Sequence, residues 1–265
     1  MHYQVHGQGD PVLLIMGFVV GREVWAPQIE DLCRDFQICS FDNRGIGKTD
    51  TPPPPYSMSD MAKDTLALMD HLGWPDAHVV GFSMGGMIAQ QLALMAPERV
   101  RTLSLISTHA GGWSARPPLA LFARCADPFI CKTEEDRHVR AIQGNLSAEY
   151  IERVGLDTLL ARIEETPFEP MTWNGIFGQT AAIFTHKTHH RLSELHGIPA
   201  QIICGDADRV IRPANSVRLA ETLEAPLSML PGGHGITIEQ AEAINELLRR
   251  HFHGTGRAAQ AAGRS

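Results

Sequence analysis

Short apolar runs bounded by turn residues alternate along this chain with stretches whose apolar positions recur every three to four residues. Met1–His6 reads as extended and is followed by a turn over Gly7-Gln8-Gly9-Asp10-Pro11. The run Val12-Leu13-Leu14-Ile15-Met16, closed by Gly17, predicts a buried strand. Phe36–Phe41 predicts another, ending in the loop Asp42-Asn43-Arg44-Gly45-Ile46-Gly47. Ser57 opens a helix, with Asp60 in a capping-box position, and Met61, Leu68, Met69 and Leu72 share its buried face up to a C-cap at Gly73. The strand Ala77–Gly81 leads into a helix over Met84–Ala96, lined on one face by Met84, Ile88, Leu92 and Met95 and stopped near Pro97. A strand over Thr102–Ser107 follows.

Strands alternating with helices imply βαβ units and a parallel sheet. These strands are apolar at nearly every position, as expected where helices cover both faces. From 112 to 195 the pattern changes to charged helical stretches, Thr133–Ile142 and Ala148–Glu165, with no convincing strand. The alternation then resumes with the strand Ala200–Cys204, a helix over Ala214–Leu223, the strand Leu227–Leu230 and a last helix, Glu239–Phe252. The expected organisation is an α/β core over residues 1–111 and 196–253, a helical cap over 112–195, and a disordered Gly/Ala-rich tail over 254–265. No fixed-period repeat is present.

Composition narrows the function. Of 265 residues, 43% are hydrophobic and 20% charged, an ordinary globular balance. A net charge of −7 and a pI near 6.0 remove the basic footprint of a nucleic-acid binder. The longest apolar run, Pro11–Val20, is broken by Gly17 and is too short to span a bilayer. The chain start shows neither a basic n-region nor an apolar h-region, which predicts a cytoplasmic protein. Five cysteines without CxxC spacing predict reduced, mostly buried thiols rather than a disulfide framework or zinc site. The proline run Pro52–Pro55 reads as a rigid surface loop.

Gly81-Phe82-Ser83-Met84-Gly85 is a G-x-S-x-G pentapeptide between a predicted strand and a predicted helix, the context its chemistry requires. Such a turn strains the serine backbone and lifts the hydroxyl clear of the sheet at a helix N-terminus. The bland alternative is a structural serine in a glycine-rich turn. A serine nucleophile needs a base, and His234, in Pro231-Gly232-Gly233-His234-Gly235, is the best placed of thirteen histidines. His71 and His78 read as surface positions, and His186, His189 and His190 as a solvated face rather than a metal site. Asp208, in Gly205-Asp206-Ala207-Asp208-Arg209, is favoured over Asp206 to hold the base. The order Ser…Asp…His belongs to one particular convergent solution.

Leu14-Ile15-Met16-Gly17-Phe18, Asp42–Gly47, Gly81–Met87, Gly205–Asp208 and Gly233-His234-Gly235, in this order over nearly the whole chain, resemble the α/β-hydrolase superfamily. The resemblance implies a mostly parallel sheet with helices on both faces and a helical cap after Thr102–Ser107. It also implies Ser83 as nucleophile, His234 as base, Asp208 as third member, and the amides of Phe18 and Met84 as the oxyanion hole. Met16-Gly17 stands where many relatives carry His-Gly, so no mechanism using that histidine side chain is expected. The N-terminus is short for the family, which leaves open whether the antiparallel edge strand is present.

Serine rather than aspartate at 83 argues against dehalogenase and epoxide hydrolase chemistry, and Gly81–Gly86 looks most like the small esterase and lactonase branch. The expected activity is hydrolysis of a carboxylic ester or lactone through an acyl-enzyme. The alternatives are a ligand-binding member with slow or no turnover, an aminopeptidase, a carbon–carbon bond hydrolase, or acyl transfer. Expected pocket walls are Phe18, Val19, Trp25, Met84, Trp173, Phe177, Phe184 and Val210, an apolar set suited to a small or medium hydrophobic acyl group. Asp42, Asn43 and Arg44 read as holding their loop, and Arg137, Arg140, Glu164 and Glu165 as a solvated face. Neither metal nor organic cofactor is implied, since no P-loop or dinucleotide fingerprint occurs. The expected partner is a small-molecule ester or lactone, with no nucleic acid or membrane, on a monomer or homodimer.

Overall fold

A computed structural model describes residues 1–112, 131–165 and 172–262. Seven strands build one sheet: β1 (Tyr3–His6), β2 (Asp10–Ile15), β3 (Phe36–Phe41), β4 (Ala77–Phe82), β5 (Val100–Ile106), β6 (Ala200–Gly205) and β7 (Leu227–Leu230). Their spatial order is β1-β3-β2-β4-β5-β6-β7. Every neighbouring pair is parallel except β1 with β3, where Tyr3 lies opposite Phe41. An antiparallel edge strand is thus present despite the short N-terminus. After β2 the chain turns outward to β3, and after β4 it proceeds the other way, so β2 and β4 flank the point where the winding reverses. Crevices at such points, beyond the carboxyl ends of the strands, are where ligands bind in open α/β sheets.

The strands are apolar throughout because both faces are covered. Leu13 and Ile15 of β2 pack with Leu103 and Leu105 of β5 against α2 (Met58–His71), α3 (Met84–Met95) and α8 (Pro213–Leu223). Val12, Leu14 and Met16 face the other way, with Val80, Ile106 and Ile203, against α1 (Ala26–Leu32) and α10 (Ala241–Ala262). The predicted capping box closes α2: Ser57 Oγ accepts from the Asp60 amide and Asp60 Oδ2 from the Ser57 amide, each at 3.1 Å.

Between β5 and β6 lie α4 (Glu134–Asn145), α5 (Ala148–Val154), α6 (Leu156–Glu165) and α7 (Trp173–Thr185), and among the described residues of this stretch there is no strand. The helical stretch predicted over Ala148–Glu165 is broken at Gly155, whose φ is 88°. An antiparallel bridge from Gly111 to Lys187 joins the two ends of the insertion. Residues 113–130 and 166–171 of the predicted cap, with Cys125, lie outside the described residues. The other four cysteines are free thiols, and all but Cys33 are buried.

The end of the chain differs from expectation. The last predicted helix is two, α9 (Ile236–Glu239) and α10, and α10 runs on to Ala262 where a disordered tail was expected. Ala258, Ala259, Ala261 and Ala262 are the strongest intrinsic helix formers and prolong it without needing apolar anchors; 263–265 lie outside the described residues. Two histidines also depart from their reading. His78 is buried, with Nδ1 2.9 Å from Thr102 Oγ1 and its ring stacked on Phe252. His186 is buried too, whereas His189 and His190 are exposed. Among the described residues, no group of His, Cys, Asp and Glu is arranged to hold a metal ion, and no helix is long and apolar enough to cross a membrane.

Candidate active site

The strand-to-helix turn at Ser83 is as tight as its sequence predicts. Ser83 has φ 55° and ψ −119°, a conformation side chains rarely adopt. Glycines make it possible. A Cβ at Gly81 would stand 2.4 Å from the Gly85 carbonyl oxygen, and one at Gly85 would stand 2.0 Å from that of Ile15. The turn is also pinned from β5: the Ser83 amide donates to the Ile106 carbonyl at 2.9 Å, and Thr108 Oγ1 donates to the Ser83 carbonyl at 2.7 Å. Thr108 was not visible to sequence reasoning, since its role depends on how far β5 reaches beside β4.

Three side chains from distant parts of the chain meet at the carboxyl ends of the strands. His234 Nε2 lies 3.0 Å from Ser83 Oγ, and His234 Nδ1 lies 2.8 Å from Asp208 Oδ2. All three residues are buried. A carboxylate only accepts, so Nδ1 donates to Asp208 and Nε2 is left to accept from the serine hydroxyl. The other Asp208 oxygen, Oδ1, accepts from the amides of Val210 and Ile211 at 2.8 Å each, which fixes the carboxylate plane. The rival Asp206 is exposed and accepts from the Gly232 amide at 3.0 Å, so it shapes the turn before His234 rather than the imidazole.

The His234 loop is clamped on both flanks. The Gly233 amide donates to Glu239 Oε1 at 2.8 Å, and the Gly235 amide donates to the Asn145 carbonyl at 2.8 Å. Glu239 also accepts from the amide and hydroxyl of Ser147, so this one buried carboxylate joins the loop to the α4–α5 junction. Neither Glu239 nor Ser147 carries a motif that marks it in the sequence.

Ser83 opens into a cavity of about 60 Å³, shared by Gly17, Phe18, Met84, Val210 and His234. Met84 is the first residue of α3, so its amide has no carbonyl within the helix to bond. Gly17 lies so close that a Cβ there would be 3.2 Å from Ser83 Cβ. Of the expected walls, Phe18, Met84 and Val210 line this cavity. The others do not. Trp25 is fully buried in the core, edge-on to Phe82. Trp173, Phe177 and Phe184 are 50%, 63% and 43% exposed on the outer side of α7. Val19 (φ 47°) gives its amide to Gln179 Oε1 at 2.9 Å and packs against the core instead.

Val20, Phe82, Met87, His109, Asn145, Ile183 and Ile211 complete the wall and lie outside the expected set. His109 stands three residues past the end of β5 and carries no motif of its own. A larger cavity of about 620 Å³ shares His234 and Asn145 with the first and is lined by polar residues that include Arg153, Asp206, Arg209 and Glu239.

The loop after β3 supports the site without entering it. Buried Asp42 accepts from the amides of Arg22 and Lys48, Asn43 Nδ2 donates to the Met16 carbonyl at 2.9 Å, and Arg44 pairs with Asp64. Arg137, Arg140, Glu164 and Glu165 are exposed.

Sheet order, strained turn and buried Ser–His–Asp contact together define a hydrolase class, and comparison with known proteins agrees. A family model described as alpha/beta hydrolase fold matches residues 10–241. The chain belongs to that family. It is 31% identical to RutD of Caulobacter segnis, described as a candidate carbamate hydrolase, over 95% of this chain and 96% of that one. A shorter match, 40% identical, relates 43% of this chain to 42% of RutD of Azorhizobium caulinodans. Among solved structures it is similar to the enol-lactonase from Burkholderia xenovorans LB400, with a TM-score of 0.83 and 25% identity over 95% of this chain and 96% of that one.

Proposed function

We propose that this hydrolase cleaves a carboxylic ester or lactone with a small acyl group, using Ser83 as nucleophile, His234 as general base and Asp208 to orient and stabilise the imidazolium. The observation that carries the reading is the unbroken line of hydrogen bonds from Ser83 Oγ through His234 to Asp208, at 3.0 and 2.8 Å, facing a cavity. Ser83 attacks the carbonyl carbon while His234 Nε2 takes its proton. The tetrahedral oxyanion is met by the amides of Phe18 and Met84, and each such donor lowers the barrier by about 3 kcal/mol. His234 returns the proton to the leaving alcohol. Water, drawn from the larger cavity beside His234, then cleaves the acyl-enzyme with the same base. A space of about 60 Å³ suits an acyl group of a few heavy atoms.

A second substrate reading has its own support. The RutD relative matched over almost its full length is described as a candidate carbamate hydrolase, and a carbamate presents the same trigonal carbonyl to the same serine. A panel of short aryl esters, lactones and simple carbamates ranks the two by kcat/KM. The mechanism itself is tested with Ser83→Ala and a fluorophosphonate probe. The wild-type protein is expected to take up one equivalent at Ser83, and the variant to lose at least about a thousandfold in turnover. Wild-type turnover by the variant would remove Ser83 from the chemistry. Folded wild-type protein that neither labels nor turns over would favour the ligand-binding alternative.

A further inference from the structure

Among the described residues, the cavity above Ser83 is lined by one side chain whose hydrogen-bond donor neither the triad nor a neighbouring carbonyl uses. Phe18, Val20, Met84, Met87, Ile183, Val210 and Ile211 make most of the wall hydrocarbon. Ser83 and His234 bond to each other there, and Asn145 Nδ2 donates to the Ala141 carbonyl. His109 remains. It stands just past the end of β5, only 7% exposed, in the wall of the same cavity.

Its tautomer follows from its surroundings. The Gly111 amide donates to His109 Nδ1 at 3.0 Å, so that nitrogen carries a lone pair and the ring proton sits on Nε2. Burial pushes the imidazole down to about 4, which keeps it neutral at ordinary pH. The backbone around it is fixed: Gln90 Nε2 donates to the His109 carbonyl at 3.1 Å, and Thr188 Oγ1 donates to Gln90 Oε1 at 2.6 Å. Among the described residues, nothing accepts a hydrogen bond from Nε2. Nε2 is not sealed off from solvent, so its N–H opens on free space, and the cavity the ring lines is where an acceptor can be supplied.

We infer that His109 is a specificity-determining residue whose Nε2–H donates to an acceptor atom on the acyl part of the substrate. The cavity is small, so that acceptor lies within a few bonds of the carbonyl attacked by Ser83. The preferred substrates are then acyl groups carrying an ether, hydroxyl or second carbonyl oxygen beside the scissile carbonyl, in preference to plain hydrocarbon acyls of the same shape. A site built around a polar donor discriminates against an analogue that leaves the donor unpaired. This inference rests on the proposed role of Ser83.

The test uses two aryl esters with one leaving group, methoxyacetate and butanoate, which differ by an oxygen in place of a methylene. Each kcat/KM is divided by the rate of hydroxide hydrolysis of the same ester. Wild-type protein is expected to favour methoxyacetate by about tenfold after this correction, the usual effect of one neutral hydrogen bond. His109→Phe should abolish the preference by losing methoxyacetate activity alone, and His109→Gln, which keeps an N–H donor, should restore part of it. Fluorophosphonate labelling of Ser83 should persist in both variants. A wild-type ratio near one overturns the inference whether or not the variants fold, and so does an equal loss on both esters. Absent labelling of the wild-type protein would instead remove the Ser83 reading, and this inference with it.

Discussion

At Ser83 the backbone is held where serine alone would not stay. A non-glycine residue in such a region costs about 1–3 kcal/mol, and neighbours must over-determine it. Here they do so from three sides: Ile106 and Thr108 hold its amide and carbonyl, and Gly85 lets α3 lie directly on the end of β2. Gly85→Ala should therefore be severe. Its Cβ would meet the Ile15 carbonyl oxygen at 2.0 Å and carbon at 2.6 Å, backbone atoms of a buried strand that cannot yield. The expected loss is about 3 kcal/mol, at the upper end of ordinary overpacking, read as the shift of the urea midpoint. Gly144→Ala is the control. A Cβ there meets nothing within 4 Å on α4, and the change should be neutral or gain up to about 1 kcal/mol. Equal midpoints for the two variants would sink the packing account. The pentapeptide was legible because close backbone approach writes glycine directly into the sequence. Thr108 and His109 were not, because nothing local tells a threonine or histidine that another strand's catalytic turn lies beside it.

Among the elements, legibility followed burial on both faces. Every strand between two helical layers appeared as an apolar run, and α2 announced itself by its capping box. The helix α7 misled for a physical reason. Its large apolar side chains, Trp173, Phe177 and Phe184, point outward, while it packs on the core through Gly175, Gly178, Gln179 and Ala182. A Cβ at Gly175 would lie 1.9 Å from the Gly45 carbonyl oxygen, and one at Gly178 would lie 2.3 Å from the Tyr56 ring. Hydropathy ranks such a face as weak, although backbone proximity makes it the contact face, and Gln179 uses that closeness to bond both Val19 and Arg44. Glu239 plays the matching part at α9. Glu239→Ala leaves the Gly233 amide and the amide and hydroxyl of Ser147 without their acceptor. Lost stability of about 1–3 kcal/mol is expected from these unpaired groups. As a positioning residue for His234 it should also lower kcat by about tenfold or more with KM little changed, and Glu239→Gln, which keeps one acceptor oxygen, should recover part of kcat. Unchanged kcat in the alanine variant would mean that the Gly235–Asn145 hydrogen bond holds the loop unaided.

Over the molecule as a whole, the reversal of winding between β2 and β4 places the site, and the same close packing buries several imidazoles, of which the sequence presented His78 and His186 as surface. Burial holds His78 and His109 down to about 4 and His186 to about 3, from an ordinary value of 6.5, and His251 is also lowered. A lowered histidine works against folding in acid. Above pH 6.5 the ring is neutral in folded and unfolded chains alike, so these groups make no difference. As the pH falls below 6.5 the unfolded chain binds protons that the folded one refuses until about pH 4, and stability drops through that window. The slope reaches about 1.4 kcal/mol per pH unit for each such histidine once its unfolded form is fully protonated. Urea midpoints should thus hold steady from pH 8 to 7 and fall measurably between pH 6.5 and 5, before most carboxylates titrate. His186→Gln removes one of the unfolded chain's proton sites while keeping a donor toward Thr188, so its midpoint should fall less steeply than that of the wild type over the same interval. Parallel slopes for the two proteins would show that His186 takes up its proton in the folded state as readily as in the unfolded one, and that its place between α7 and the end of β5 is open to water.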